Sequence, residues 1–142
     1  MLLGEYDHTL DDKNRLTLPA KLREQLGDEV VITRGLDGCL FVHSRAAFEV
    51  LAGRMGTLDP FSRETRMLQR HFYTGAPPAE LDRQGRMVIP ARLLEELKIG
   101  REVTVAGVYD HLEIWDRVKW REQMREAEGS AEDVAERLAN RD

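Results

Sequence analysis

Two aspartate–arginine pairs with the same spacing are the residues of this chain best suited to recognition chemistry. Asp11 precedes Arg15 by four positions, and Asp82 precedes Arg86 by four. Arginine offers a planar fork of donors that matches the O6/N7 edge of guanine or a phosphate. An aspartate across the same turn can hold the guanidinium and reduce the entropy that it loses on binding. The spacing therefore predicts two binding arginines, with Asp11 and Asp82 as the groups that orient them.

A plain structural role fits the same spacing. An exposed salt bridge across a turn is worth less than about 1 kcal/mol. The spacing alone favours that interpretation, whereas the repeat and the resemblance described below favour DNA binding. Phosphate contacts position a protein on DNA without reading its sequence. The candidates are Lys13, Lys21 and Arg23 near the first pair, and Arg83 and Arg92 near the second. For Lys21 and Arg92, a solvated helix face is an equally good interpretation.

The two pairs lie at equivalent places in a longer internal repeat. The segment LDDKNRLTLPAKL at 10–22 aligns with LDRQGRMVIPARL at 81–93. With small length adjustments, the match continues to Phe48 in the first copy and Trp120 in the second. Such self-similarity indicates one supersecondary unit used twice. We predict a first repeat over 4–51, a linker helix over 52–74, a second repeat over 75–124 and a C-terminal helical extension over 125–142.

Each copy predicts the same elements around its aspartate–arginine pair. A strand enters a tight turn, a second strand follows, and a proline ends that strand and begins a short amphipathic helix. Asn14 and Gly85 hold equivalent turn positions and tolerate a positive φ, which predicts a type I turn closed by a left-handed residue. The predicted strands are 5–10, 15–18, 29–33 and 39–43, then 79–81, 86–89, 102–106 and 112–115. The predicted capping residues are Gly27 and Gly100 after the short helices, Ser44 and Asp116 before the closing helices, and Asp59 with Pro60 before the linker helix.

A hairpin and one short helix cannot bury an apolar face alone, whereas two copies can complete a shared core. We therefore predict an α+β fold in which the hairpin of each copy pairs with the other copy. The product would be a pseudo-symmetric β-barrel with flanking helices, and it would place Arg15 and Arg86 on related parts of the surface. The alternative is two independent small domains in tandem, joined at Pro77-Pro78.

Composition narrows the classes of function. The formal net charge is −5, so DNA binding must rest on local basic clusters rather than on bulk basicity. The single cysteine, Cys39, excludes an internal disulfide. The sequence shows no signal peptide and no apolar run long enough to span a membrane. We therefore expect a soluble cytoplasmic protein.

The sequence carries no pattern typical of catalysis or metal binding. The histidines at 8, 43, 71 and 111 are dispersed and form no metal-ligand pair. Cys39 lies beside the apolar run 40–42 and is expected to be buried rather than nucleophilic. Neither a nucleophile elbow nor a phosphate-binding loop occurs. We expect no enzymatic activity, no cofactor, no metal and no small-molecule substrate.

The doubled Asp-x-x-x-Arg, followed each time by a β segment and Leu/Ile-Pro-Ala-Lys/Arg-Leu, closely resembles the MraZ family of bacterial regulators. That family belongs to the AbrB-like swapped-hairpin barrels. Gly4-Glu5-Tyr6 and the segment FYTGA at 72–76 also resemble it, and the resemblance extends from residue 1 to about 128. The family's motif maps onto Asp11 with Arg15, and onto Asp82 with Arg86.

The resemblance implies a sequence-specific DNA-binding repressor of the division and cell-wall gene cluster that it heads. It further implies recognition of short G-rich direct repeats in double-stranded promoter DNA, association with the nucleoid and ring-shaped homo-oligomers. Because the net charge is negative, several weak sites acting together in a ring would raise the affinity.

AbrB-like barrels also occur as antitoxin domains whose tails bind a toxin, so an antitoxin-like interaction module is the alternative. Antitoxins usually carry one barrel copy and a disordered tail, whereas this chain has two copies and predicted helical extensions. One copy of the motif could contact DNA while the other mainly builds the barrel. Asn14 opposite Gly85 is the local sign of such a division.

Overall fold

The computed structural model describes residues 1–141 and has a mixed α+β fold. The strands are β1 (Leu2–Thr9), β2 (Arg15–Thr17), β3 (Glu29–Arg34), β4 (Leu40–Ser44), β5 (Ala79–Glu80), β6 (Arg86–Val88), β7 (Glu102–Tyr109) and β8 (Leu112–Asp116). The helices are α1 (Ala20–Leu26), α2 (Arg45–Met55), α3 (Arg63–Tyr73), α4 (Ala91–Leu97), α5 (Arg117–Glu128) and α6 (Ala131–Ala139). The order β-β-α-β-β-α thus occurs twice, with α3 and α6 after the two copies. Residue 142, the end of the predicted C-terminal extension, lies outside the described residues.

The strands of the two copies are interleaved. Six of them form an antiparallel sheet in the order β1-β7-β8-β4-β3-β5, and the other two form a ribbon of β2 and β6, called here the β2–β6 ribbon. The two strands that flank each aspartate turn pair with strands of the other copy: β1 with β7, β5 with β3, and β2 with β6. The alternative of two independent domains in tandem is therefore wrong. The sheet remains open, with β1 and β5 at its edges.

One apolar core joins the ribbon to the sheet. Leu16 and Met87 face each other in the ribbon and are fully buried. They belong to the same cluster as alternate residues of the sheet, such as Val30 and Val105, and as Leu22 of α1. Because strand side chains alternate between faces, burying Leu16 and Met87 directs their neighbours outward. The opposite face of the sheet is packed by α2, α3 and α5.

The predicted helix start at Asp59 is wrong. The Asp59 carboxylate accepts the Phe61 N–H at 3.0 Å and its carbonyl accepts the Ser62 N–H at 3.1 Å, which makes a turn. α3 begins only at Arg63, and α2 ends at Met55, so the predicted linker contains the end of one helix and the whole of a second. An aspartate followed by proline suits a turn as well as a helix start.

Two of the predicted caps also differ. Gly27 ends α1 with a φ of 79°, and Ser44 caps α2 through its hydroxyl, as expected. Gly100 does not end α4, because Lys98 adopts the left-handed conformation first, with a φ of 57°. Asp116 precedes α5, but its Oδ1 accepts the Gly100 N–H at 3.0 Å instead of capping the helix.

No helix within residues 1–141 combines the length and the apolar character that crossing a membrane requires.

Candidate nucleic-acid interface

The carboxylate of Asp11 organises the turn between β1 and β2. Its Oδ1 accepts the backbone N–H of Lys13 at 2.9 Å and that of Arg15 at 2.8 Å. The Asn14 N–H closes the turn on the Asp11 carbonyl at 3.0 Å, and Asn14 has a φ of 58°. The predicted left-handed residue is confirmed. The aspartate therefore shapes the turn as well as facing the arginine.

The turn between β5 and β6 repeats this geometry. Oδ1 of Asp82 accepts the backbone N–H groups of Gln84 and Arg86, both at 2.9 Å. The Gly85 N–H meets the Asp82 carbonyl at 2.9 Å, and Gly85 has a φ of 74°. Two turns of different sequence thus hold their aspartates in the same way.

The second carboxylate oxygen of each aspartate holds the following arginine by Nε. The Arg15 Nε lies 2.6 Å from Asp11 Oδ2, and the Arg86 Nε lies 2.7 Å from Asp82 Oδ2. Within residues 1–141, neither guanidinium has another hydrogen-bond partner, so both terminal Nη groups stay free for a ligand. The arginine side chains are 28 % and 27 % exposed. This is the arrangement that a bidentate contact to guanine or phosphate needs.

Both aspartates stay ionised at neutral pH. The hydrogen bond from the Arg15 backbone N–H, assisted by those from its side chain and from Lys13, lowers the pKa of Asp11 to about 2. The backbone N–H of Arg86, together with its side chain and the Gln84 N–H, lowers the pKa of Asp82. Each carboxylate therefore remains a charged acceptor for its arginine.

The β2–β6 ribbon brings the two arginines onto one face. Arg15 lies opposite Val88, and Thr17 lies opposite Arg86, on either side of the Leu16–Met87 pair. The arginines are therefore diagonal neighbours, about 7–8 Å apart at the Cα level in a regular antiparallel pair. The outward side chains of Arg15, Thr17, Arg86 and Val88 form what is called here the ribbon face. The sequence predicted related positions for the arginines, and the structure makes them adjacent.

Arg23 of the first copy lies on the turn of the second. A Cβ on Gly85 would overlap the Arg23 side chain, so the absence of a side chain at Gly85 makes room for this arginine. The equivalent residue of α4 is Leu94, which is buried and apolar. The two turns therefore differ in their surroundings, because Arg23 lies at the second turn where Leu94 lies beside the first.

The other predicted cations divide into two groups. Lys13, Lys21 and Arg83 are exposed. Arg92 instead donates through Nη2 to the carbonyls of Thr74 and Gly75 in the segment that joins the copies. A terminal Nη group of Arg92 is therefore bonded within the chain, whereas Arg15 and Arg86 are held only through Nε within residues 1–141.

The structure also adds two cations to the first turn. Lys98 and Arg101 line a shallow cleft together with Asn14. The Leu10 N–H donates to the Arg101 carbonyl at 2.8 Å, which places the start of β7 beside the β1–β2 turn. Local sequence carried no signal for these residues, because the pairing of β1 with β7 brings them there.

A buried aromatic cluster on the far face of the sheet was also missed. The rings of His43 and His111 stack at a centroid distance of 5.1 Å, and Phe41 adjoins both. Burial and the neighbouring His111 lower the pKa of His43 to about 4. Two acidic neighbours, Glu113 and Asp110, raise the pKa of His111. Oε2 of Glu113 lies 3.5 Å from Nε2 of His111.

Cysteine and possible metal-ligand groups were the remaining candidates for chemistry within residues 1–141. Cys39 is buried, as predicted, and burial raises the pKa of its thiol. No group of three or more histidine, cysteine or acidic side chains in the described part of the chain could hold a metal ion.

Comparison with known proteins identifies close relatives over the whole length. A family model described as "MraZ protein, putative antitoxin-like" matches residues 1–71 and again 72–142. The chain is 44% identical over 143 residues to "Transcriptional regulator MraZ" of Moorella thermoacetica, covering 100% of this chain and 99% of the relative. It is 44% identical over 139 residues to the protein of that name from Roseiflexus castenholzii, covering 98% and 97%. The protein of that name from Caldanaerobacter subterraneus is 41% identical over 140 residues, covering 99% and 98%.

Proposed function

This chain belongs to the MraZ family, and from that premise we propose that it regulates transcription by binding double-stranded DNA through the ribbon face. The observation that carries the proposal is the pair of adjacent arginines, each held by Nε with both Nη groups free. A two-stranded ribbon fits the major groove of B-DNA, where arginine pairs with the O6/N7 edge of guanine. An enzymatic role has no support in the names of the relatives, which are those of transcriptional regulators.

We assign the interleaved strands to the swapped-hairpin barrel type. The support is that both strands flanking each aspartate turn pair with the other copy. We keep repeats at 4–51 and 75–124, a linker over 52–74 and a C-terminal extension over 125–142 as the domain organisation. The doubled β-β-α-β-β-α order supports these bounds.

We assign phosphate contacts to the cations in and beside the two turns, of which Arg23 is half-buried and the others are exposed. Lys13 and Arg83 lie in the two turns, and Lys21 lies on α1. Arg23 adjoins the second turn, and Lys98 with Arg101 adjoins the first. Each end of the ribbon face therefore offers cations for phosphate contacts despite the net charge of −5. Such contacts set the position on DNA, and the arginine pair reads bases.

The regulatory proposal is repression of the protein's own division and cell-wall gene cluster through short G-rich direct repeats. The unbonded Nη groups of Arg15 and Arg86 can donate two hydrogen bonds to the O6 and N7 atoms of guanine. One chain offers few contacts, so we propose a ring-like homo-oligomer that binds several repeats at once and gains affinity through effective concentration. Exposed Phe61 (89 %) and Met67 (60 %) near α3 supply apolar surface that self-association would cover. The proposed location is the cytoplasm, at the nucleoid.

An antitoxin-like interaction module is the second candidate. The description of the family model includes that term, and α5 and α6 have no buried residues while exposing Val118, Met124, Val134 and Leu138. Against it, the extension is helical in this structure rather than an unstructured tail, and the chain carries two copies of the motif. Purification with a stoichiometric toxin-like partner would favour this candidate over DNA binding.

A DNA titration tests the main proposal. Duplex from the region upstream of the protein's own gene is titrated with the wild type, Arg15→Ala, Arg86→Ala and the double variant, in a series of salt concentrations. Losing one bidentate base contact costs about 1–3 kcal/mol, so each single variant should bind about 5- to 150-fold more weakly. Arg15→Ala should weaken binding at least as much as Arg86→Ala. Unchanged affinity in the double variant refutes the proposal, and the salt slope counts the phosphate contacts.

A further inference from the structure

The ribbon face combines a symmetric pair of arginines with an asymmetric second pair of side chains. Thr17 and Val88 hold equivalent positions in the two copies and form the other diagonal of the face. Both are exposed, Val88 at 58 % although it is apolar. Arg15 therefore has a valine across the ribbon, and Arg86 has a threonine.

These two side chains offer different chemistry to a base pair. Valine cannot form a hydrogen bond, and its methyl groups can contact the 5-methyl group of thymine in the major groove. Threonine has one methyl group and a hydroxyl that can donate or accept. The half of the ribbon face with Arg15 and Val88 thus suits a guanine beside a thymine. The half with Arg86 and Thr17 suits a guanine beside a base that offers a polar edge.

The residues around the ribbon face also differ between the two copies. Lys13 is the second residue after its aspartate, whereas Arg83 is the first after its own, so the turn cations are not related by the two-fold axis. Arg23 adjoins the second turn, whereas apolar Leu94 takes the equivalent place in α4. A ribbon with full two-fold symmetry would bind a duplex equally well in both directions. This ribbon presents different groups to the two directions.

We propose that Thr17 and Val88 are specificity-determining residues that give the chain one preferred orientation on DNA, with Val88 contacting a thymine methyl group beside the guanine read by Arg15. The inference rests on the proposed DNA-binding function. An oriented reader recognises a non-palindromic site, so that several copies facing the same way would bind sites repeated in the same direction. A symmetric reader would select palindromes.

Selection from a randomised duplex library tests this, using the wild type, Val88→Thr, Thr17→Val and the double exchange. All three variants keep a β-branched residue at an exposed strand position, so melting temperatures should be unchanged. The wild type should select a non-palindromic site containing a thymine. Replacing that thymine by deoxyuridine, which lacks the methyl group, should weaken wild-type binding by about three- to fivefold. Val88→Thr should select a more symmetric site, and the double exchange should move the sensitivity to the methyl group to the other half.

Other results of the selection would contradict either the orientation inference or the proposed DNA-binding function. The inference is overturned if the wild type selects a palindromic site. It is also overturned if Val88→Thr selects the same site as the wild type and loses the same affinity when deoxyuridine replaces thymine. In those cases sequence-specific binding that depends on Arg15 and Arg86 would still stand. If the wild type selects no sequence and the double arginine variant binds as the wild type does, the proposed function fails and the inference fails with it.

Discussion

The substitution Asp11→Asn tests whether Asp11 orients Arg15 for DNA binding or only forms a surface salt bridge with it. The asparagine keeps an oxygen that can accept the backbone N–H groups of Lys13 and Arg15, so the turn is retained. Its amide NH₂ group would then face the Nε–H of Arg15, where a donor meets a donor. We expect the arginine to lose its fixed orientation while the β1–β2 turn keeps its shape.

The expected loss of affinity depends on whether the Arg15 side chain loses its conformational entropy on folding or on binding DNA. Immobilising a side chain on binding costs about 0.5–1.5 kcal/mol. The 2.6 Å bond to Asp11 restricts Arg15 before DNA arrives. Asp11→Asn shifts that cost to the binding step and predicts about two- to twelvefold weaker binding to the specific site. Removing a negative charge near the phosphates acts the other way and should strengthen binding to unrelated DNA.

Fluorescence anisotropy with the upstream duplex and with a scrambled duplex measures both effects. Asp12→Asn is the matched control, because Asp12 is exposed in the same turn and Arg15 is bonded to Asp11 and not to Asp12. Asp12→Asn should raise the affinity for both duplexes slightly. The reasoning is refuted if Asp11→Asn raises the affinity for both duplexes as Asp12→Asn does.

Two further predictions concern stability. The pKa of His43 is lowered to about 4 in the folded chain, so the unfolded chain binds an extra proton between about pH 6.5 and 4. The free energy of unfolding should therefore fall by up to about 3 kcal/mol as the pH drops through that window, as urea titrations can measure; a curve equally steep in His43→Phe would contradict this. Gly85→Asn should lower the melting temperature because the new side chain must displace the Arg23 side chain, whereas Asn14→Gly leaves the Arg23 side chain in place and should lower it less. Adding Arg23→Ala should restore much of the melting temperature of Gly85→Asn, and no recovery would show that the strain lies elsewhere.

Local chemistry explains which sequence predictions held. The positive φ at Asn14 and Gly85 was predictable because a tight turn depends on a few adjacent residues. The same is true of the cap at Ser44 and the helix end at Gly27. The helix start predicted at Asp59 failed because aspartate and proline stabilise both a turn and a helix N-terminus, and here the Asp59 carboxylate closes a turn on the Phe61 N–H.

Sequence by itself determined the family, the doubled unit and the two arginines with their aspartates, because these depend on residue types at fixed short spacings. Tertiary structure decided which strands pair, and with that the ribbon face on which Arg15, Arg86, Thr17 and Val88 meet. It also decided that Lys98 and Arg101 adjoin the first turn and that Arg23 adjoins the second. Backbone hydrogen bonds between strands are nearly independent of residue type. The pairing partner and register of each strand are therefore selected by which side-chain faces can be buried together. Burying Leu16 against Met87 is what turns the two distant arginines outward onto one face.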